Sequence, residues 1–384
     1  MGDPLKTFFS PALVRRLAGD LAGVHPGFPA RAFVARATTG LDRLELLDRG
    51  RHIARALAVH LPAPYPDAVD VLIRSLGPEH ASDELIGAGM APFYYLPHTI
   101  FVAEHGLDHF EISMRAQYEL TKRFSAESSI RPFIIKYPER TLGQLREWAH
   151  DSNPHVRRLV SEGTRLRLPW AARVAWLDEH PDRVLALLEL LKDDPASVVR
   201  RSVANNLNDL GKVHPALLMR TCESWLVTAS SDRRALVEHA LRSAVKRGEA
   251  DALRLLGYGQ KASVALDEVR ISPRRVAIGG RVAIEFTLCG RSRGTQEMLV
   301  DLAVHFIKAD GRAAPKVFKL KRVVMPPRGR VAFSTSVSLA VHTTRKPQPG
   351  RHMVEVIVNG TSNPVGSFQV VPATGTRKRG SSRR

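Results

Sequence analysis

Two cysteines, Cys222 and Cys289, are all that this 384-residue chain contains. They stand 67 positions apart, too far for a C-x-x-C metal or redox pair, and each is expected to be a buried free thiol. No stretch approaches the roughly 18 consecutive apolar residues of a membrane helix. The opening Met1-Gly2-Asp3-Pro4-Leu5-Lys6 has an acid and a proline where a signal peptide carries a basic and then an apolar run. Lys6 stands where the myristoylation pattern needs Ser or Thr. A protein of the reducing cytoplasm, away from membranes, is the expectation. The 15 histidines form no H-E-x-x-H or similar spacing, and no glycine-rich phosphate loop is present. Neither a metal nor another cofactor is expected. Aromatic residues are scarce, at 6%, and show no single-strand stacking platform, which argues against an RNA-binding role.

Acidic residues are also in deficit. The net charge is +19, which points to a polyanionic partner, nucleic acid first. The excess is uneven. From Lys261 onward there are 23 Lys/Arg against 7 Asp/Glu, whereas residues 1–260 carry 34 against 31. A nearly neutral first part thus precedes a strongly cationic second part, and the length suits two domains.

The first part reads as helices. Ser10-Pro11, Asn153-Pro154 and Asp194-Pro195 each place a capping residue before a proline suited to the first helical position. Apolar residues follow at helical spacing, as in Leu13, Leu17 and Leu21. Asp151-Ser152-Asn153-Pro154-His155-Val156-Arg157-Arg158 also aligns with Asp194-Pro195-Ala196-Ser197-Val198-Val199-Arg200-Arg201 at a period of 43. That period suits HEAT-type repeats, about 40–47 residues, whose stacked helix pairs offer a concave face to extended partners. Further copies are expected near Asp232 and at Tyr65-Pro66-Asp67-Ala68-Val69. The expectation is an all-α HEAT-like solenoid over residues 1–258.

After Tyr258 the period becomes two. Val282, Ile284, Phe286 and Leu288 alternate with smaller or polar residues, as do Val300, Leu302, Val304 and Phe306, and Val354, Val356 and Val358. Turn signals stand between them at Gly279-Gly280, Asp310-Gly311, Pro326-Pro327 and Asn359-Gly360. About seven strands over residues 262–372 suggest an all-β immunoglobulin-like sandwich. A disordered basic tail is expected at 373–384.

On the helix from Asn153, Val156, Leu159, Val160 and Gly163 share one side, and Arg158, Glu162 and Arg165 share the other. Arg201, Asn205 and Asn208 are the corresponding positions 43 residues later, with Asp209 adjoining. Such a strip can serve as a phosphate rail. A carboxylate on it needs a reason, because it repels phosphate. For Glu162 an ordinary reason is an i,i+4 pair with Arg158, and for Glu127 a pair with Arg131. The chemical reason is that cleaving a base from deoxyribose builds positive charge on the sugar, which a fixed carboxylate stabilises. Trp170, in Arg167-Leu168-Pro169-Trp170, suits either stacking on a base or sugar, or packing between helices.

Arg131-Pro132-Phe133-Ile134, the run from Asn153 through Ser161-Glu162-Gly163-Thr164-Arg165, and Leu168-Pro169-Trp170 together resemble the AlkC branch of the HEAT-like DNA glycosylases. So do Phe8-Phe9, Leu13-Val14-Arg15-Arg16, Gly40-Leu41 and His52-Ile53-Ala54 near the start. Leu166 departs from the family's proline. The resemblance implies a monofunctional glycosylase that removes N3-methylated bases, chiefly 3-methyladenine and also 3-methylcytosine, from bent duplex DNA without inserting the base into a deep pocket. It implies that Glu127 and Glu162 face the damaged nucleotide, one of them orienting the water. It further implies that Trp170 packs on the sugar, Asp209 adds electrostatic stabilisation, and Arg158 holds a phosphate. Arg165 and Arg201 belong to the same DNA-facing strip. The basic sandwich is then a DNA clamp, with Arg291 and Arg293 in one candidate loop and Arg345 and Lys346 in the other, at opposite ends. A monomer is expected of a protein that wraps its substrate. The competing reading is a non-enzymatic DNA-binding scaffold.

Overall fold

A computed structural model of the chain describes residues 5–80, 91–341 and 346–372. Arg345 and the expected tail at 373–384 lie outside the described residues. The chain divides into two compact units between Ala240 and Leu241. Among the described residues no helix is long and apolar enough to cross a membrane.

Fifteen α-helices occur among the described residues: α1 (Pro11–Val24), α2 (Ala30–Thr38), α3 (Leu46–His60), α4 (Tyr65–Arg74), α5 (Leu96–His105), α6 (Phe110–Thr121), α7 (Arg131–Lys136), α8 (Pro138–Trp148), α9 (Pro154–Gly163), α10 (Ala175–Glu179), α11 (Pro181–Leu191), α12 (Ser197–Leu210), α13 (Pro215–Leu226), α14 (Ser231–Lys246) and α15 (Ala250–Leu255). Proline occupies the first or second position of α1, α4, α5, α7, α8, α9, α11 and α13. There its missing N–H costs nothing, so these prolines start helices rather than break them. Ser10 Oγ accepts from Leu13 N at 3.3 Å, and Asn153 Oδ1 accepts from His155 N at 2.9 Å. Both are side-chain caps.

Asp194 does otherwise. α12 begins at Ser197, later than Asp194-Pro195 suggests. Asp194 Oδ1 accepts from Ala196 N, and its carboxylate receives Arg157 Nε at 2.6 Å and Nη2 at 2.9 Å. Arg157 thus pairs with the aspartate that stands 43 residues after Asp151, and Arg200, 43 residues after Arg157, reaches Asp232 at 3.1 Å. Each arginine also donates to the carbonyls ahead of its own helix, Asp151 and Ser152 for Arg157, Asp194 and Pro195 for Arg200. Val156, Leu159 and Val160 of α9 are fully buried, and α9 packs on α12, α11 and α8.

Residues 241–384 hold two sheets. Strands β1 (Val264–Ser272), β3 (Arg281–Gly290) and β6 (Arg330–Ser338) form one, in the order β1-β3-β6. The other has the order β2-β8-β7-β4-β5, from β2 (Arg275–Ala277), β8 (Thr361–Val371), β7 (Gly350–Val358), β4 (Gln296–Ile307) and β5 (Ala313–Met325). Among the described residues the strands number eight, one more than the alternation suggests. The extra one, β2, is too short to show a period and is recognisable only by its parallel pairing with β8. Val282, Ile284, Phe286, Leu288, Val300, Leu302, Val304, Val354, Val356 and Val358 all enter the shared core, as their alternation requires. Cys222 is buried, but Cys289 is only half-buried. It alternates with the core residue Leu288, so its side chain takes the outer face. Register places the loop after β3 and the loop after β6 at opposite ends, since Arg281 pairs with Ser338 and Cys289 with Arg330.

Candidate active site

The site is built where the end of α9 meets α12 and the segment preceding α7. Gly163 makes the close approach possible, because a Cβ there would lie 2.7 Å from Ile130 Cγ2. Glu162, just before it, is 5% exposed, so the strip expected to face solvent is folded inward at its acidic position. Glu162 Oε1 accepts from Arg165 Nη1 at 2.5 Å, and Oε2 accepts from Ser202 Oγ at 2.5 Å. The expected i,i+4 partner, Arg158, is more distant at 3.8 Å. Arg165 also donates through Nε to Asp209 Oδ2 at 2.8 Å, and Lys212 Nζ stands 2.7 Å from Asp209 Oδ1. Arg158 Nη2 meets Glu127 Oε2 at 3.0 Å, and Ser125 Oγ donates to the same oxygen at 2.8 Å. The result is one continuous chain of charge, Glu127–Arg158–Glu162–Arg165–Asp209.

Burial by itself would raise the Glu162 pKa. The cations Arg158 and Arg165, with the Ser202 hydroxyl, outweigh it and hold this carboxyl below the usual range. Burial likewise works against the charge on Arg158, yet Glu127 and Glu162 hold its pKa above the ordinary value. Glu162 and Asp209 do the same for Arg165. A carboxylate that stays charged while nearly sealed from water is suited to stabilising a cation.

Arg131 does not pair with Glu127. Its guanidinium is buried and donates to three carbonyls, Gly163 O at 2.9 Å, Arg165 O at 3.0 Å and Ala172 O at 3.0 Å. Those carbonyls flank the loop that carries Trp170, and one helix-side arginine thus fixes both the end of α9 and that loop. Trp170 is 67% exposed and has φ +62°, so packing between helices is not its role. With Pro169, Phe93, Leu96 and Phe124 it walls a cavity of about 300 Å³ that also touches Glu127 and Arg158.

A second hollow, about 550 Å³, runs past Arg158 and Glu162 to Arg201, Asn205 and His239. Arg201 at this hollow is exposed and has no ion-pair partner among the described residues, unlike Arg158 and Arg165. Arg291, Arg293 and Lys346 are exposed in the two loops of the sandwich. The structure therefore brings Glu127, Arg158, Glu162, Arg165 and Asp209 together and places Trp170 and Arg201 beside them. Sequence reasoning missed Ser125, Ser202 and Lys212, and gave Arg131 the wrong partner. No cluster of metal-holding side chains occurs among the described residues.

Residues 124–247, which hold Glu127, Arg158, Glu162, Arg165, Trp170, Arg201 and Asp209, match the family model described as DNA alkylation repair enzyme. Residues 265–372 match the model described as the C-terminal Ig-like domain of the uncharacterised protein YhaZ. Protein YhaZ of Bacillus subtilis (strain 168) is 33% identical over 369 residues, 95% of this chain and 99% of that protein. Among solved structures, the Pseudomonas fluorescens alkylpurine DNA glycosylase AlkC, bound to DNA containing an abasic site analog, is 34% identical. The similarity covers 96% of this chain and all of that one, with a TM-score of 0.89. The chain belongs to the DNA alkylation repair enzymes, in the AlkC branch with a C-terminal immunoglobulin-like domain.

Proposed function

We propose that this protein is a monofunctional DNA glycosylase that hydrolyses the N-glycosidic bond of N3-alkylated bases, 3-methyladenine and also 3-methylcytosine, in bent duplex DNA. The observation that carries the proposal is the pair Glu127 and Glu162, joined through Arg158 and set beside the exposed Trp170. An N3-methylated base is a cation and leaves as a neutral molecule, so no acid is needed to protonate it. The site has to stabilise the cationic sugar and direct a water.

The two acids divide this work. Both oxygens of Glu162 are engaged by Arg165 and Ser202, so it acts through its fixed charge. Glu127 is 27% exposed, and its Oε1 has no hydrogen-bond partner among the described residues. That oxygen is the acceptor for the attacking water, whose proton it takes as the new C–O bond forms. Trp170 packs on the lesion's sugar, and Asp209 holds Arg165 in line. Arg158 and Arg165 serve first as counter-ions, because a phosphate would compete with carboxylates for them. The backbone contact falls to the exposed Arg201.

The Arg157–Asp194 and Arg200–Asp232 pairs support a HEAT-like solenoid for the helical unit. The excess of cations after Lys261 supports a DNA-holding role for the sandwich, through Arg291 and Arg293 or through Arg345 and Lys346. The test is release of methylated base from DNA treated with a methylating agent, comparing wild type with Glu127→Gln and Glu162→Gln. Release by the wild type, with a variant that binds but does not release, supports the reading. Binding without release by the wild type replaces it with a DNA-binding scaffold, in which removing either acid tightens binding.

A further inference from the structure

We infer that Ser202 is a positioning residue of the base-releasing site, holding the Glu162 carboxylate in its working orientation from the neighbouring helix. This rests on the proposed glycosylase reading.

The first observation is one of place. Ser202 stands 43 residues after Leu159, and that is the period relating α9 to α12. Leu159 is 0% exposed and Ser202 is 2% exposed. A hydroxyl thus occupies a position that its counterpart fills with an apolar side chain in the core. Such a substitution costs stability unless the hydroxyl finds a partner.

The second observation is the partner. A helical serine ordinarily returns its proton to the carbonyl four residues back. Ser202 Oγ instead donates across the helix interface to Glu162 Oε2, at 2.5 Å. This is the length of a charge-assisted O–H···O⁻ bond. Arg165 fixes the other oxygen from α9's own end. With one donor on each oxygen, and the two donors on different elements, the carboxylate plane cannot rotate without breaking a bond. Arg158, 3.8 Å from Oε2, is too distant to replace the hydroxyl.

The charged and titratable groups that face Glu162 are Arg158 from α9, Arg165 from the turn after it, and Glu127 beyond Arg158. Asp209 acts through Arg165, and Arg200, Arg201, Asp232 and His239 share the adjoining hollow. The two arginines and Ser202 favour the charged carboxylate, so loss of the hydroxyl moves the acid limb of the pH–rate profile to higher pH.

The experiment is single-turnover release of 3-methyladenine from methylated duplex DNA, across pH, for the full-length wild type, Ser202→Ala and Ser202→Thr. The expected result for Ser202→Ala is a rate at saturating enzyme lower by about tenfold, with DNA affinity unchanged. Its acid limb shifts upward, and Ser202→Thr, which keeps the hydroxyl, recovers most of the rate and the wild-type limb. A Ser202→Ala rate and profile equal to wild type overturns the inference. So does a loss of rate that follows thermal stability or DNA affinity with the pH profile unmoved, since that marks a packing role. Should the wild type itself release no base, the glycosylase reading fails first, and the assignment of Ser202 falls with it.

Discussion

Arg131 makes the sharpest structural prediction. It is 3% exposed, has no acidic partner within ion-pair distance among the described residues, and gives three hydrogen bonds to carbonyls between Gly163 and Ala172. Burial pushes its pKa down to about 10, which still leaves it charged near neutrality. Arg131→Met keeps much of the stem and removes all three donors. A hydrogen bond from a charged group contributes about 1.5–3 kcal/mol, so three amount to roughly 6. Relief from burying an unpaired charge returns part of that, and a net loss of about 3 kcal/mol is expected. At about 2–4 °C per kcal/mol for a unit of this size, the helical unit should melt roughly 10 °C lower. Arg131→Lys, which reaches fewer of the carbonyls, should fall between. The assay is thermal unfolding followed by circular dichroism, with acrylamide quenching of tryptophan fluorescence to report the Trp170 loop. Quenching, already strong for an exposed Trp170, should increase in Arg131→Met. Melting within about 2 °C of wild type would show that the carbonyls find other donors and that the clamp argument is wrong.

Three further outcomes follow from the same geometry. His98 is fully buried, its two ring nitrogens have no hydrogen-bond partner among the described residues, and burial lowers its pKa to about 4. The unfolded chain therefore takes up a proton near pH 6.5 that the folded one refuses, and stability declines as pH falls from there toward 4, by about 3 kcal/mol. Urea titrations at pH 7.5 and 4.5 should show this loss and show much less of it in His98→Leu. Asp209→Asn removes a charge from a 1%-exposed carboxylate and leaves Arg165 on Glu162 alone. It should cut base release by about tenfold or more while duplex affinity is kept or improved, and an unchanged release rate would remove Asp209 from the site. If Arg291 and Arg293 both touch phosphates, Arg291→Gln with Arg293→Gln should reduce the slope of log affinity against log salt by about 1.8. An unaltered slope would transfer the contact to the opposite loop.

The sequence by itself determined the order of architectures. Helical spacing with prolines at helix starts is a local property, and so is the alternation of Val282 through Leu288, since each follows from which side of one element is apolar. The 43-residue spacing was equally legible, because Asp151 and Asp194 sit at that interval and the Val-Arg-Arg runs follow them. Motif resemblance drew attention to Glu127, Glu162, Trp170 and Asp209. What those residues do to one another was decided only by tertiary structure. Glu162 lies on the polar side of α9, yet it is buried because α12 covers that side and supplies Ser202. Glu127 and Arg131 are four residues apart, yet one turns to Arg158 and the other to the carbonyls around Gly163. Spacing along one helix cannot encode a partner delivered by the next, because a long-range ion pair depends on how two helices are packed rather than on either sequence alone. The same holds for β2, whose three residues carry no period and become a strand only when β8 offers its edge.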